Sequence, residues 1–334
     1  MIVVGAVLLV IFGLLGAAVP VPYVAEVPGP TYNTLGDIGG DQIITVDGRA
    51  PNQVSGNLNL TTVGVSRAGL SLVEAVRGWF DSEVTVVPQD AVYPPNQTPQ
   101  QTQQQNRQDF LNSEQSAEAA ALGHLGFPDK VVVQGVSSGS PSQGKLQEDD
   151  AIEAVGGTPT PDLATLTTAL KAIPGGTPVE ISYSRLGQPG TTTVTTTAAS
   201  DRSGSVLGVL VNEMPSAPFD VDIQVKDVGG PSAGLMLTLG ILDKVGNTDL
   251  TGGKVIAGTG TIDRHGAVGP IGGIQLKMVS ARRIGAKLFL VPAGNCDEAL
   301  RAPQPGLPMA RVATLDDALT ALADVQAGRT PPSC

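Results

Sequence analysis

Histidine and cysteine are nearly missing from this chain: His124 and His265, Cys296 and Cys334, in 334 residues. A zinc site of the usual ligand set cannot readily be assembled from so few. No Asp/Asn-rich loop has the spacing of a calcium site either, so neither metal nor cofactor is expected. Basic residues are also scarce, 20 against 31 acidic ones, and the net charge is −11. Without a basic cluster, phosphate neutralisation fails and nucleic-acid binding is excluded as a main function. Aromatic residues make up 3% with a single tryptophan, so the cores must come from Val, Leu, Ile and Ala. A nucleotide-binding Gly-x4-Gly-Lys-Ser/Thr loop is absent too. Gly252-Gly253-Lys254-Val255 lacks the first glycine and the hydroxyl.

Glycine (42) and proline (26) are abundant, which predicts a loop-rich chain of two or three domains. One long apolar run stands out, Met1 to Val19, uncharged throughout. At ~1.5 Å per residue it matches a bilayer core, and it reads as an uncleaved anchor rather than a secretory signal. Residues 20–127 follow as an α/β region. Strands are predicted at 42–47, 56–65 and 84–88, and a helix at Ser71–Phe80 with Ser71 and Glu74 spaced as a capping box. Tyr93 to Gln108 is a Pro/Gln/Thr/Asn tract that reads as a mobile segment, before helix resumes at Asp109–Gly126.

From residue 128 to 200 the texture is strand, turn, strand, helix and hairpin. The strands are Val131–Val133, Ala151–Val155, Val179–Arg185 and Thr191–Thr197, with a helix at Leu163–Ile173 and a hairpin loop at Leu186–Gly190. Residues 201–326 alternate strands and helices, as a mixed α/β domain does, and 327–334 form a tail.

Within that last domain, Val228-Gly-Gly-Pro-Ser-Ala-Gly-Leu-Met-Leu-Thr-Leu passes abruptly from a tight loop to an apolar run. Such a pattern predicts a loop entering a buried helix, with Ser232 at its positive end beside unpaired N–H groups. Three readings are open: a capping serine, a phosphate-holding loop, or a nucleophile whose oxyanion donors lie at Gly230, Ser232 and Ala233. A second helix follows Gly273. At ~100° per residue, Ile274, Met278, Ala281 and Ile284 share a face that also contains Lys277. That lysine either snorkels to solvent or, if desolvated, loses its proton and serves as a base for a serine. A histidine-based triad through His265 is the weaker enzyme reading.

Gly230-Pro231-Ser232-Ala233-Gly234 and Pro270-Ile271-Gly272-Gly273…Lys277 resemble the proteolytic domain of Lon protease, as do Thr259-Gly260-Thr261-Ile262 and Val291-Pro292…Asn295. The resemblance runs from about Leu207 to Leu322. It implies Ser232 as nucleophile, Lys277 as general base and Thr259 as the residue that orients the lysine. Two positions depart from the family, Gly229 where an acid is frequent and Thr261 where Glu stands. Residues 128–200 resemble a PDZ domain, with Asp149 in place of its glycine; the carboxylate-binding loop is not located. The whole order, with Pro28-Gly29-Pro30 and Gly56–Val63, is similar to bacterial membrane-anchored PDZ-containing Lon-like proteases.

These resemblances imply a multidomain α/β (α+β) chain: an N-terminal transmembrane helix, a PDZ-like β-rich domain and a Lon-type proteolytic domain. They imply an ATP-independent serine endopeptidase, single-pass in the cell membrane, with its bulk outside the cytoplasm. Its partners would be protein or peptide substrates presenting hydrophobic C-termini, and a second copy of itself as a homo-oligomer. The alternative is a catalytically silent envelope scaffold that binds peptides or organises assembly. An oxidising compartment would also favour a Cys296–Cys334 disulfide.

Overall fold

The computed structural model describes Val4, Ala17 and residues 19–66, 69–200, 203–225 and 228–334. Two compact units emerge, the first built from residues 1–44, 52–117 and 223–334, the second from 45–51 and 118–222. The second unit is thus inserted in the sequence of the first.

The first unit centres on a six-stranded mixed sheet. Its order is Met309–Val312, Leu288–Pro292, Val255–Gly258, Asn57–Val65, Tyr23–Asn33, Thr85–Pro88. Val255–Gly258 lies parallel to both neighbours, with Ile256 opposite Leu58 on one side and Leu288 on the other. Side chains reinforce the distant pairing: Asn59 Nδ2 donates to the Ile256 carbonyl (3.0 Å) and Thr61 Oγ1 to that of Gly258 (3.1 Å). From the sequence, residues 20–127 and 201–326 are expected as separate regions. The structure instead joins them in one sheet, because strands ~200 positions apart carry matching apolar faces that only pairing buries.

Helix α1, Leu72–Trp79, is opened by the reciprocal Ser71–Glu74 capping box. Helix α2, Pro99–His124, replaces most of the tract expected to be mobile. Glutamine is a good helix former, and a second capping box starts the helix: the Gln101 N–H reaches Thr98 Oγ1 while the Thr98 N–H reaches Gln101 Oε1. Gln105–Asp109 and Gln108–Asn112 add side-chain bonds four residues apart. Composition alone counted missing apolar residues and overlooked these polar ties.

The expected N-terminal transmembrane helix is corrected: no helix of the described residues is long and apolar enough to cross a membrane. Apart from Val4, Ala17 and Val19, the run of residues 1–19 lies outside the described residues.

The second unit has a sheet of order Gln188–Thr195, Pro178–Arg185, Ala151–Val155, Asp129–Val136, Val209–Pro215. Helix α3, Leu163–Lys171, is capped by Asp162 and buries Leu166 and Leu170 into a core with Val133, Ile152, Ile181 and Val194. The hairpin turn is two residues, Leu186 and Gly187 at φ +48° and +74°, shorter than the loop expected. A turn with both central residues left-handed matches strand twist. Val209–Pro215 pairs with Asp129–Val136, so the start of the expected 201–326 domain lies in this unit.

Candidate active site

Helix α4, Gly234–Val245, buries every one of its residues, which explains why it is apolar on all sides from Gly234 to Leu242 except at Thr238. Each fully buried Leu, Met or Ile contributes roughly 1.5–3 kcal/mol, so the segment before the helix stands on a rigid base. Ser232 lies two residues before it in a turn, with Gly230 at φ +83°, a conformation suited to glycine. Gly260 N–H and Thr259 Oγ1 both donate to the Ser232 carbonyl, at 3.0 and 3.1 Å.

Helix α5, Ile274–Arg283, begins at Gly273, whose φ is +68° and where a Cβ would come 2.7 Å from Val63 Cγ2. Lys277 lies one turn in and is only 3% exposed. Its Nζ donates to Ser232 Oγ at 2.8 Å and to Thr259 Oγ1 at 3.0 Å. Burial alone lowers its pKa from 10.5 to about 8. The snorkelling alternative does not apply, since the amine points inward to two hydroxyls. Thr259, fully buried, accepts from the lysine and donates to the serine backbone, tying the two together.

The oxyanion expectation divides. The Gly230 N–H donates to the Asn106 carbonyl (2.8 Å) and so is already engaged. Ser232 and Ala233 are the backbone positions just before α4, with Ala233 at its N-cap. His265 is exposed in a turn held by Asp263, and no hydrogen bond joins it to Ser232 among the described residues. At Gly229, where an acid is frequent in the family, a Cβ would come 3.0 Å from Asn106 Cβ, a tight contact. Among the described residues, no group of three or more His, Cys, Asp or Glu could hold a metal ion.

Two contributors escaped the sequence reading, both on α2. Asn106 supplies the carbonyl just described, and Ser113 Oγ donates to the Pro231 carbonyl at 3.1 Å. Spacing could have shown them: residues 102, 106, 110, 113 and 117 follow a helical period, and Thr102, Phe110, Ser113 and Ala117 are buried. Beside this contact runs a groove of about 290 Å³ lined by Asp109, Asn112, Ser113, Ser116, Pro231, Thr261 and Ile262.

Cys296 and Cys334 form a disulfide, 38 residues apart in sequence. It sits beside a buried cluster that includes Ile274, Met278 and Phe289.

Comparison with known proteins places these observations. Lon protease 2 of Bacillus subtilis (strain 168) is 32% identical over 123 residues, covering 35% of this chain and 22% of that protein. Lon protease of Anaeromyxobacter dehalogenans is 31% identical over 136 residues, 38% of this chain and 16% of that one. The chain therefore spans less than a quarter of the length of these two relatives. Among solved structures, the PDZ domain of an SdrC-like protein from Listeria innocua matches 25% of this chain and 94% of its own, at 21% identity and a TM-score of 0.24. Residues 222–323, which contain Ser232, Thr259 and Lys277, match the Lon protease (S16) C-terminal proteolytic domain, so this part of the chain is similar to a Lon-type serine peptidase domain.

Proposed function

We propose that the chain is a serine endopeptidase with Ser232 as nucleophile and Lys277 as general base, cleaving peptide bonds without nucleotide hydrolysis. One observation carries this reading: a lysine amine 3% exposed, 2.8 Å from a serine hydroxyl at the start of a buried helix. Neutral Lys277 takes the hydroxyl proton as Ser232 Oγ attacks the substrate carbonyl carbon. Ser232 and Ala233 N–H groups face the developing oxyanion, aided by the positive end of α4. The lysine then gives its proton to the leaving amine, and water hydrolyses the acyl-enzyme. Thr259 keeps the amine in place through both transfers. A scaffold would have no use for such a pair.

The second unit supports a docking role. Its sheet has edges at Gln188–Thr195 and Val209–Pro215, where an extended peptide can add a strand. Substrates of loose structure suit cleavage without nucleotide hydrolysis, and their apolar C-terminal segments suit such an edge. The disulfide favours an oxidising compartment outside the cytoplasm.

Cleavage of a fluorogenic peptide and of an unfolded protein by wild type and by Ser232→Ala tests the reading. Wild type should cleave both and the variant neither; equal rates would remove Ser232 as nucleophile. A peptide ending in an apolar residue should bind Ser232→Ala saturably. Absence of binding at millimolar peptide would remove the docking role alone.

A further inference from the structure

The turn after strand Leu288–Pro292 grips the entrance of helix α5 more firmly than a loop needs for its own fold. Asn295, 4% exposed, accepts from the Ile271 N–H at 2.9 Å and donates to the Ile271 carbonyl at 2.8 Å. One side chain thus fixes both sides of one residue's backbone, two positions before the Gly273 cap of α5. Gln275 Nε2, in the first turn of α5, donates to the Glu298 carbonyl at 3.3 Å. Steric fit adds to this, since a Cβ on Gly294 would come 3.2 Å from Pro270.

That gripping turn is itself tied. Cys296, next to Asn295, is bonded to Cys334, and residues 327–334 lead there along the edge of the sheet, where the Arg311 N–H donates to the Pro332 carbonyl at 3.0 Å. The two cysteines pack against the cluster containing Ile274 and Met278, the neighbours of Lys277 on α5. A continuous set of contacts therefore runs from the disulfide through Asn295 to Ile271, then to Gly273 and Lys277. Pro332 and Ser333 are exposed and Cys334 is half-buried, so a small thiol can reach the bond.

We infer that the Cys296–Cys334 disulfide is a redox control on the dyad, with Asn295 as the positioning residue that conveys its state to Lys277. The inference rests on the proposed Ser232–Lys277 chemistry. A dithiol reductant supplies two electrons and two protons, leaves as its own disulfide, and frees two thiols. The 293–299 turn then loses its tether, and Ile271 loses the fixed anchor that sets the start of α5. The lysine amine must meet a serine oxygen within hydrogen-bond distance, where a misplacement of ~1 Å costs up to ~100-fold in rate.

The test is the rate at which an alkyl fluorophosphonate labels Ser232, measured across pH on full-length protein. Oxidised wild type is compared with wild type reduced by a dithiol, with Cys334→Ser and with Asn295→Ala, and circular dichroism monitors the fold. Reduction should lower labelling at least about tenfold and move the acidic limb of the profile, and reoxidation should restore both. Cys334→Ser should match the reduced enzyme and ignore the dithiol, while Asn295→Ala should show the loss with its disulfide intact. Unchanged rate and acidic limb in reduced, folded protein overturn the inference while leaving the dyad standing. Collapse of the whole fold on reduction overturns it too, since the bond would then be structural only. An oxidised wild type that never labels removes the dyad reading itself, and this inference with it.

Discussion

Both units withdraw titratable groups from water, wholly at Lys277 and partly at Glu118 and Asp149, and they do so to different ends. In the first, Lys277 is displaced from 10.5 to about 8 by burial alone. In the second, half-buried Glu118 is pushed up to about 8 by burial and then by Asp149 and Asp220, and Asp149, which keeps an exposed face, is pushed up to about 6 by partial desolvation and then by Asp220, Glu148 and Asp150. Desolvation favours the neutral form in every case. The neighbours decide the outcome. Lys277 meets two hydroxyls: Thr259 Oγ1, whose own proton goes to the Ser232 carbonyl, accepts from the lysine in either state, while Ser232 Oγ accepts from an ammonium or donates to an amine. The carboxylates meet other carboxylates, so ionising one raises the cost of ionising the next. On the proposed chemistry the first arrangement is a poised base, and the second is a pH-dependent weakness.

The largest break in that comparison comes from removing the base's ability to change state. Lys277→Arg keeps a cation that cannot deprotonate, so peptide cleavage should fall by at least ~1000-fold. In wild type, cleavage should rise with pH through an apparent pKa near 8, because only the neutral amine accepts the serine proton. The limb belongs to the coupled pair rather than to the lysine alone. A folded Lys277→Arg with near-wild-type activity would end the dyad.

Thr259→Val sharpens the same side. Its hydroxyl accepts from Lys277 and donates to the Ser232 carbonyl, and valine keeps its shape while losing both bonds. Cleavage should drop about 10- to 100-fold, the range seen when an orienting partner is lost, with the pH limb displaced. A drop with an unmoved limb would mean that Thr259 acts on the serine backbone only.

The nucleophile side of this site is more legible in sequence than its frame. Ser232 and Lys277 show themselves through local rules, a glycine-rich entry to an apolar run and a cation on an apolar helix face. The Ser71–Glu74 capping box is equally local, and it forms. What the sequence hides is non-local. Asn59 and Thr61 look like alternating strand residues, and nothing adjacent tells that their partners are Ile256 and Gly258. Gln-rich α2 hides for a different reason: its stability lies in side-chain bonds and caps, to which a count of apolar residues is blind. Ser113 and Asn106 were lost with it.

Glu118→Gln tests the other side of the comparison through stability. A carboxyl whose folded pKa exceeds its unfolded one binds its proton more tightly when folded. The folded state therefore loses stability as pH rises between the two values. For Glu118 the window is 4.5 to about 8, and for Asp149 it is 3.8 to about 6. Urea unfolding should show the second unit weakening from pH 4 to 8. Glu118→Gln should flatten that slope and stabilise by on the order of 1–2 kcal/mol at pH 8. An unchanged slope would mean that the trio is solvated and the comparison false.

The smallest effect is at Asp149, and it separates conformation from charge. Asp149 has φ +67°, a left-handed conformation that aspartate tolerates better than most residues and glycine better still. Its neighbour Asp150 is instead paired with Arg185, whose Nε and Nη2 donate to its two oxygens at 2.7 and 2.8 Å. Asp149→Gly relieves strain worth about 1 kcal/mol, offset by ~0.5–1 kcal/mol of added unfolded-chain entropy. Conformation alone therefore nearly cancels, and what remains is the loss of a charge facing Glu118 and Asp220. That remainder is absent at pH 4 and present at pH 8. The variant should thus match wild type in urea midpoint at pH 4 and exceed it at pH 8. Asp149→Ala, which keeps the strained φ without aspartate's tolerance of it, should gain less at pH 8 and lose about 1 kcal/mol at pH 4. A Gly variant weaker than wild type at both pH values would show that the carboxylate has a stabilising partner, and the contrast with Lys277 would no longer hold.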